Sequence, residues 1–243
     1  MIRKLAIAIC VVLPVTVFAA DPLVPLERAN VDVTNRAALQ RGAALFVNNC
    51  MGCHSAQYMR WNRVAADIGI SEEMLAQYLQ VTGERPGDQM RIAMPAADAE
   101  GWFGLAPPDL SLVTRSRGTD WVYSFLLTFY VDDTQPLGVN NLTFPMTGMP
   151  HALWEMQGLQ RAVFSEPADG GVPTFDRFEQ VTEGSVSPDE YRRAVRDITA
   201  FLAYVGEPVR AERQSLGMLV VFFLLVFFGF AYMLKREYWK DVH

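Results

Sequence analysis

Two cysteines and a histidine lie together in the stretch Cys50-Met51-Gly52-Cys53-His54, and their spacing indicates a specific chemistry. A redox Cys-x-x-Cys pair belongs beside alternating strands and helices, which the flanking sequence lacks. A structural zinc ion needs four ligands, and the chain has no second pair of Cys or His. The pattern instead fits covalent haem attachment, in which both thiols bind the porphyrin and the adjacent imidazole reaches the iron.

The ligand on the other side of such an iron decides its chemistry, because a thioether raises the potential whereas an open position permits ligand binding. Met149 is the preferred candidate, since it lies in an irregular Gly- and Pro-containing segment, FPMTGMPHAL. Met94 and Met146 are the alternatives. His151 is also a possible ligand, although a surface or core histidine is the simpler interpretation.

Two helices are predicted to position these groups. Residues 35–49 have apolar residues at helical spacing, with Thr34 or Asn35 as the N-cap. A second helix begins after Ser187, with Pro188 in its first turn, and ends at Gly206. In cytochromes c two such helices cross at a glycine, and the residues expected at a crossing here are Gly42 and Phe46 against Phe201 or Tyr204.

Apolar segments at both ends predict export and anchoring. Residues 1–19 have the basic start, apolar centre and small final residues of a secretory signal. Residues 213–236 contain 19 uncharged residues, Leu216 to Leu234, enough to cross a bilayer. Basic residues follow, so the tail at 237–243 is expected in the cytoplasm and the domain at 20–212 outside.

The segment between the two apolar stretches is acidic. It has 25 Asp and Glu against 16 Lys and Arg, a net charge of −9. This charge disfavours binding to nucleic acid and favours electrostatic steering of a basic partner, although solubility alone explains it equally well.

Three stretches together resemble cytochrome c1 of ubiquinol:cytochrome c reductase: CMGCHSAQYMRWNR, GLAPPDLSLVTRSRGTDWVYSFL and MPHALWEMQG. They are followed by a domain-ending helix and an apolar anchor, so the resemblance covers nearly the whole chain. APPDLS combined with a terminal anchor is far more specific than the haem motif. The absence of a long organellar targeting segment and a short loop at 128–141 favour a bacterial member.

The resemblance implies a mainly α fold, in which a cytochrome c-like haem domain with long ordered loops is joined to one C-terminal transmembrane helix. It implies one covalently attached haem c, with Cys50 and Cys53 as attachment points and His54 and Met149 as iron ligands. The sequence does not decide whether residues 70–104 form helices or an irregular cover over the haem. Little β alternation is present anywhere in the domain.

The resemblance further implies that the loop from Ala106 to Leu110 lines the haem, with the carbonyl of Pro107 or Pro108 accepting the ring N–H of the histidine ligand. Arg117, and less surely Arg115 and Trp121, would hold a propionate.

The implied role is electron transfer in the bacterial inner membrane, from a Rieske iron–sulfur protein to a cytochrome c and alongside cytochrome b. No bond-making catalysis is expected. The competing hypotheses are a haem sensor with an open iron, a purely structural haem subunit, and an anchored cytochrome that feeds a terminal oxidase. The roughly 95 residues between His54 and Met149 exceed what a minimal cytochrome c needs, which favours cytochrome c1.

Overall fold

The computed structural model describes residues 22–80, 85–165 and 173–241. The predicted secretory signal at 1–19 lies outside these residues. Helices predominate in the described part, as the sequence predicts. They are α1 (Arg36–Asn49), α2 (Trp61–Ile68), α3 (Glu72–Tyr78), α4 (Ala96–Phe103), α5 (Val113–Ser116), α6 (Thr119–Leu127), α7 (Trp154–Gln157), α8 (Pro188–Gly206) and α9 (Arg210–Tyr238).

Short strands form three antiparallel pairs among the helices. The pairs are β1 (Ala56–Arg60) with β2 (Gln89–Met90), β3 (Phe129–Val131) with β4 (Val139–Asn141), and β5 (Gln160–Ser165) with β6 (Thr174–Gln180). The β5–β6 hairpin is not evident in the sequence, because a register shift between Val163 and Phe164 breaks the two-residue alternation that identifies a strand.

Both helices predicted to frame the haem domain form, and their caps are those that the sequence indicates. Asn35, one of the two proposed caps, accepts a hydrogen bond from the backbone N–H of Ala38 at the start of α1. Ser187 and Glu190 form a reciprocal capping box at the start of α8, with Pro188 in the first turn. The helix ends at Gly206, as predicted.

Helices α1 and α8 cross at the predicted glycine. A Cβ atom on Gly42 would lie 2.1 Å from the carbonyl oxygen of Asp197 and 2.9 Å from the Cβ atom of Phe201, so only glycine fits between the helices. Phe46 packs on Phe201 with ring centroids 5.5 Å apart. Because Cys50 follows directly after α1, this crossing fixes the base of the haem motif.

The middle of the chain, left open by the sequence, folds into short elements around an irregular path. Helices α3 and α4 flank strand β2, which pairs with β1 directly after the haem motif. Residues 81–84 lie outside the described part. The segment is therefore neither a helical bundle nor wholly irregular, and its strand pairs with the strand that begins two residues after His54.

Helix α9 includes one stretch, Glu212–Tyr238, that is long and apolar enough to cross a membrane, and its most apolar 18-residue window has a mean hydropathy of 2.5 and no buried part. It joins the haem domain through an ionic contact at Glu207. The carboxylate of Glu207 accepts a hydrogen bond from Arg213 of α9 at 2.6 Å and pairs with Arg115 at 3.2 Å. The Arg213 bond is the main reason that the pKa of Glu207 is lowered.

Candidate haem-binding site

The two cysteines and His54 lie on one tight turn immediately after α1. The backbone N–H groups of Cys53 and His54 both donate to the carbonyl oxygen of Cys50, at 3.1 and 2.9 Å. Both cysteines are free thiols and both are partly exposed. The turn therefore presents two unpaired sulfurs and an imidazole from one short piece of backbone, which is the donor set that covalent haem attachment requires.

Cys50 packs against the hydrophobic core. Burial, and to a lesser degree the nearby Cys53, raises the pKa of the Cys50 thiol to about 12. This thiol is therefore protonated at neutral pH and has none of the thiolate character of a redox-active cysteine.

His54 is buried, and its ring contacts the loop that the sequence singled out. Its Nδ1 atom lies 2.7 Å from the carbonyl oxygen of Pro108, whereas no such contact is made by Pro107 among the described residues. Burial lowers the pKa of His54, and the Pro108 carbonyl and Asp109 oppose that effect. A neutral imidazole that donates from Nδ1 carries its free lone pair on Nε2, the atom available to a metal.

Backbone and side-chain hydrogen bonds tie this proline loop to Ser55 and to strand β1, which follows that residue. Leu110 donates its N–H to the carbonyl of Ser55 at 2.8 Å, next to the histidine. The carboxylate of Asp109 accepts from the backbone N–H groups of Gln57 and Ser111, at 2.9 and 2.8 Å. The loop and the strand therefore form one unit, which fixes the carbonyl against the His54 ring.

Met149 lies half-buried in a segment without regular structure, between Thr147 and His151, both buried. The segment passes against Leu105, since a Cβ atom on Gly148 would lie 3.1 Å from that side chain. Leu105 directly precedes the loop that holds His54. The methionine segment and the histidine loop are therefore neighbours in the fold.

The two alternative methionines differ in their surroundings. Met146 is 77% exposed and has a positive φ of 58°, a backbone conformation rare outside glycine. Met94 is half-buried and follows Ile92, whose backbone N–H donates to the Ser55 hydroxyl at 3.0 Å. Its exposure makes Met146 the less suitable iron ligand. Met94 lies in the segment that bonds to Ser55, the residue after His54.

The candidate propionate partners have different contacts. The guanidinium of Arg117 lies over the ring of Trp121, 5.1 Å from its centroid, and 5.7 Å from the ring of Phe144. Arg115 instead forms the ion pair with Glu207 described above. Arg117 therefore has its charge available beside an aromatic surface, and Arg115 already has a carboxylate partner.

A row of contacting rings, partly stacked and partly edge-to-face, connects Arg117 to the methionine segment and was not predicted as a row from the sequence. We call Trp121, Phe125, Phe129 and His151 the aromatic ladder. Successive ring centroids lie 5.1, 5.0 and 4.9 Å apart, and the His151 ring is parallel to Phe129 within 2°. The spacing of four residues from Trp121 to Phe129 is a signal for this ladder, but its end at His151 depends on tertiary structure.

Burial lowers the pKa of His151 to about 4, and Gln157 opposes this effect. Its Nε2 atom is buried and has no hydrogen-bond partner within the described residues. The ring is therefore a neutral member of the core, in agreement with the simpler interpretation from the sequence.

Residues 22–80, 85–165 and 173–241 contain no group of three or more His, Cys, Asp or Glu side chains that could together bind a metal ion.

Known proteins resemble this chain over most of its length. The model of the cytochrome C1 family matches residues 28–242. The chain is 52% identical to cytochrome c1 of Allochromatium vinosum, over 99% of this chain and all of that protein. It is 42% identical to a protein named ammonia monooxygenase gamma subunit from Nitrosomonas europaea, over the whole chain and 99% of that protein.

A more distant relative is the mitochondrial cytochrome c1 of Schizosaccharomyces pombe, which is 27% identical over 86% of this chain and 68% of that protein. The family match over most of the length, together with the high identity to a bacterial member, shows that the chain belongs to the cytochrome c1 family, whose members are respiratory electron-transfer haem subunits.

Proposed function

We propose that this chain is the haem subunit of a bacterial ubiquinol:cytochrome c reductase, taking electrons from a Rieske iron–sulfur protein and passing them to a cytochrome c. The observation that carries the proposal is the 2.7 Å contact between His54 Nδ1 and the Pro108 carbonyl. That contact joins the attachment motif to the APPDL loop, the two most specific features of the sequence, in one site.

In this proposal, one haem c is held by four residues of the chain. Cys50 and Cys53 supply the thioether links, and His54 and Met149 supply the two iron ligands. When bound, the haem supplies a one-electron ferric and ferrous couple. The residues fit this group because the two thiols are unpaired, the imidazole is neutral, and the methionine segment adjoins the histidine loop.

The chain's own contribution is to tune and shield that couple. The Pro108 carbonyl fixes the tautomer of His54 and increases its donor strength, which favours the ferric form. The Met149 thioether acts in the opposite direction, because a soft sulfur ligand favours ferrous iron. Arg117 is the proposed propionate partner, since its guanidinium lies beside Trp121 and pairs with no carboxylate among the described residues.

We further propose that α9 crosses the inner membrane once, with the haem domain in the periplasm and the C-terminus in the cytoplasm. Lys235 and Arg236 occupy the last turn of the helix, which supports this orientation through the positive-inside rule. Cytochrome b and the Rieske protein would then be membrane neighbours, and the acidic domain would attract a basic cytochrome c from solution.

Purification in a mild detergent tests the assignment. We expect the chain to isolate together with a di-haem cytochrome b and a Rieske protein, with quinol-dependent reduction of its haem. Isolation without those two partners would count against the reductase and would favour an anchored cytochrome that serves another enzyme.

Carbon monoxide separates electron transfer from ligand sensing. An iron with both axial positions occupied by protein does not bind carbon monoxide readily, so we expect the reduced spectrum to be unchanged by the gas. A rapid and complete spectral shift would support the sensor hypothesis.

A further inference from the structure

We propose that His151 is a positioning residue for the Met149 thioether, which it holds in place by stacking on Phe129. The inference rests on the proposed function, because it assumes that Met149 is the iron ligand. His151 has no role in the proposed function as described above.

The segment that contains Met149 has few internal hydrogen bonds that could fix its position. Gly148 and Pro150 are exposed, and the segment forms neither helix nor strand. The backbone N–H of Met149 donates only to the Thr147 hydroxyl, at 3.4 Å, which is long for a hydrogen bond. Local bonding therefore leaves the position of the sulfur poorly determined, and a tertiary anchor is needed.

His151 provides such an anchor two residues later. Its side chain is 7% exposed, and its ring is parallel to Phe129 within 2° at a centroid distance of 4.9 Å. Two residues of extended chain span at most about 7 Å. Fixing the Cα atom of His151 consequently confines that of Met149 to a small region.

Phe129 is itself firmly placed. It is 1% exposed, pairs with Asn141 in the β3–β4 ladder, and meets the edge of Phe125 at 5.0 Å. Its carbonyl also accepts a hydrogen bond from the Gln160 side chain at 2.8 Å. The surface on which His151 stacks is thus part of the rigid core and not of the loop.

The proposed role of His151 depends on the flat shape of its ring and not on its hydrogen bonding. The Nε2 atom of His151 has no partner within the described residues, so a phenyl ring could replace the imidazole without losing a bond at that atom. Aromatic stacking depends on a flat ring, which phenylalanine keeps and which leucine and alanine lack. These three substitutions separate the shape of the side chain from its chemistry.

The experiment compares His151→Phe, His151→Leu and His151→Ala in the full-length, haem-loaded protein in detergent. The readouts are the weak long-wavelength absorption band of methionine-ligated ferric haem, the midpoint potential, and carbon monoxide binding to the reduced form. We expect His151→Phe to match the parent protein. We expect His151→Leu and His151→Ala to lose at least half of the band, to fall in potential and to bind carbon monoxide.

Two results would overturn the proposal. One is a wild-type band, potential and carbon monoxide response in His151→Leu or His151→Ala. The other is an equal loss in His151→Phe, which would mean that imidazole chemistry and not stacking is required. If His151→Ala does not accumulate, the comparison of His151→Leu with His151→Phe decides the question alone.

Two further variants serve as controls. Ile68→Ala truncates a fully buried side chain beside the first turns of α1, where the Gln40 side chain bonds to the Ile68 carbonyl. It should lower thermal stability without changing the band. Met149→Leu separates the two proposals: if it leaves the band intact, the ligand assignment fails, whereas a change in Met149→Leu without one in His151→Ala or His151→Leu defeats only the positioning role.

Discussion

The two sides of the candidate haem site are built in different ways. On the side of His54, backbone hydrogen bonds give most of the support, in the turn of the motif and between Leu110 and Ser55, and the Asp109 carboxylate adds a bond to β1. On the side of Met149, side chains hold an irregular segment, chiefly through the stack of His151 on Phe129.

The difference has a consequence for which substitutions each side tolerates. Backbone hydrogen bonds persist whatever side chain is present, so apart from the Asp109 carboxylate the His54 side should be insensitive to most substitutions. A segment held by side-chain packing loses its geometry when one contact is removed. We therefore expect the imidazole to stay in place in most variants and the thioether to be the ligand that is lost first.

The largest effect is expected from removing the attachment itself. Cys50→Ser combined with Cys53→Ser leaves no thiol to bind the porphyrin, so haem staining after denaturing electrophoresis should vanish. The single substitutions are the matched controls, and each should keep one link and some stain. Full staining in the double variant would contradict thioether attachment at these residues.

Loss of the thioether should come next in size. Met149→Leu should keep covalent haem, because both cysteines remain, yet lower the midpoint potential by a substantial part of the roughly 0.8 V that axial ligands span. It should also allow carbon monoxide to bind. Potentiometric titration measures the first effect, with Met146→Leu and Met94→Leu as matched controls that should leave it unchanged.

A larger side chain at the crossing of α1 and α8 tests how tightly the helices pack on the His54 side of the site. In Gly42→Ala the new methyl group meets the Asp197 carbonyl, so we expect a loss of about 1–3 kcal/mol in the free energy of unfolding. Gly101→Ala in α4 is the matched control, because a Cβ atom there meets nothing within 4 Å. Equal stability of the two variants in denaturant titrations would refute a tight crossing.

Loosening the proline loop should change the potential in the opposite direction to Met149→Leu. Asp109→Ala removes both hydrogen bonds to Gln57 and Ser111 and leaves the loop held by the backbone bond from Leu110 to Ser55, which should weaken the contact of the Pro108 carbonyl with the His54 ring. A less polarised imidazole favours ferrous iron, so the potential should rise by a smaller amount. Asp109→Asn, which can keep one of the two bonds, should lie between; a fall in potential would contradict this arrangement.

The smallest change in potential is expected from Arg117, and it should distinguish Arg117 from Arg115. Arg117→Gln removes a positive charge proposed to lie at a propionate, which should lower the potential slightly because the ferric form is then less disfavoured. Arg115→Gln should leave the potential unchanged, since Arg115 pairs with Glu207. Equal shifts in both variants would remove the distinction.

Features governed by neighbouring residues were predictable from the sequence. The haem motif, the Ser187 cap and the end of α8 at Gly206 each depend on a few adjacent positions, and all are present in the structure. The helix crossing was also predictable, because glycine at that point has a direct steric reason. The roles of the site residues as haem ligands stay predictions.

Features that join distant parts of the chain were not predictable. The choice of Pro108 over Pro107 depends on how the loop lies against β1, and the pairing of Arg115 with Glu207 spans α5 and the end of α8. The β5–β6 hairpin was missed because its bulge leaves Phe175 and Phe178 three residues apart, a spacing that is not typical of strands.

The contact at Glu207 links the apolar helix α9 to the rest of the domain. One carboxylate is shared between Arg115, two residues before Arg117, and Arg213 at the start of the apolar helix. In the proposed membrane arrangement, a change in the tilt of the apolar helix would alter the geometry of this shared ion pair. The pair would in this way connect the lipid surroundings of the anchor with the segment that contains Arg117.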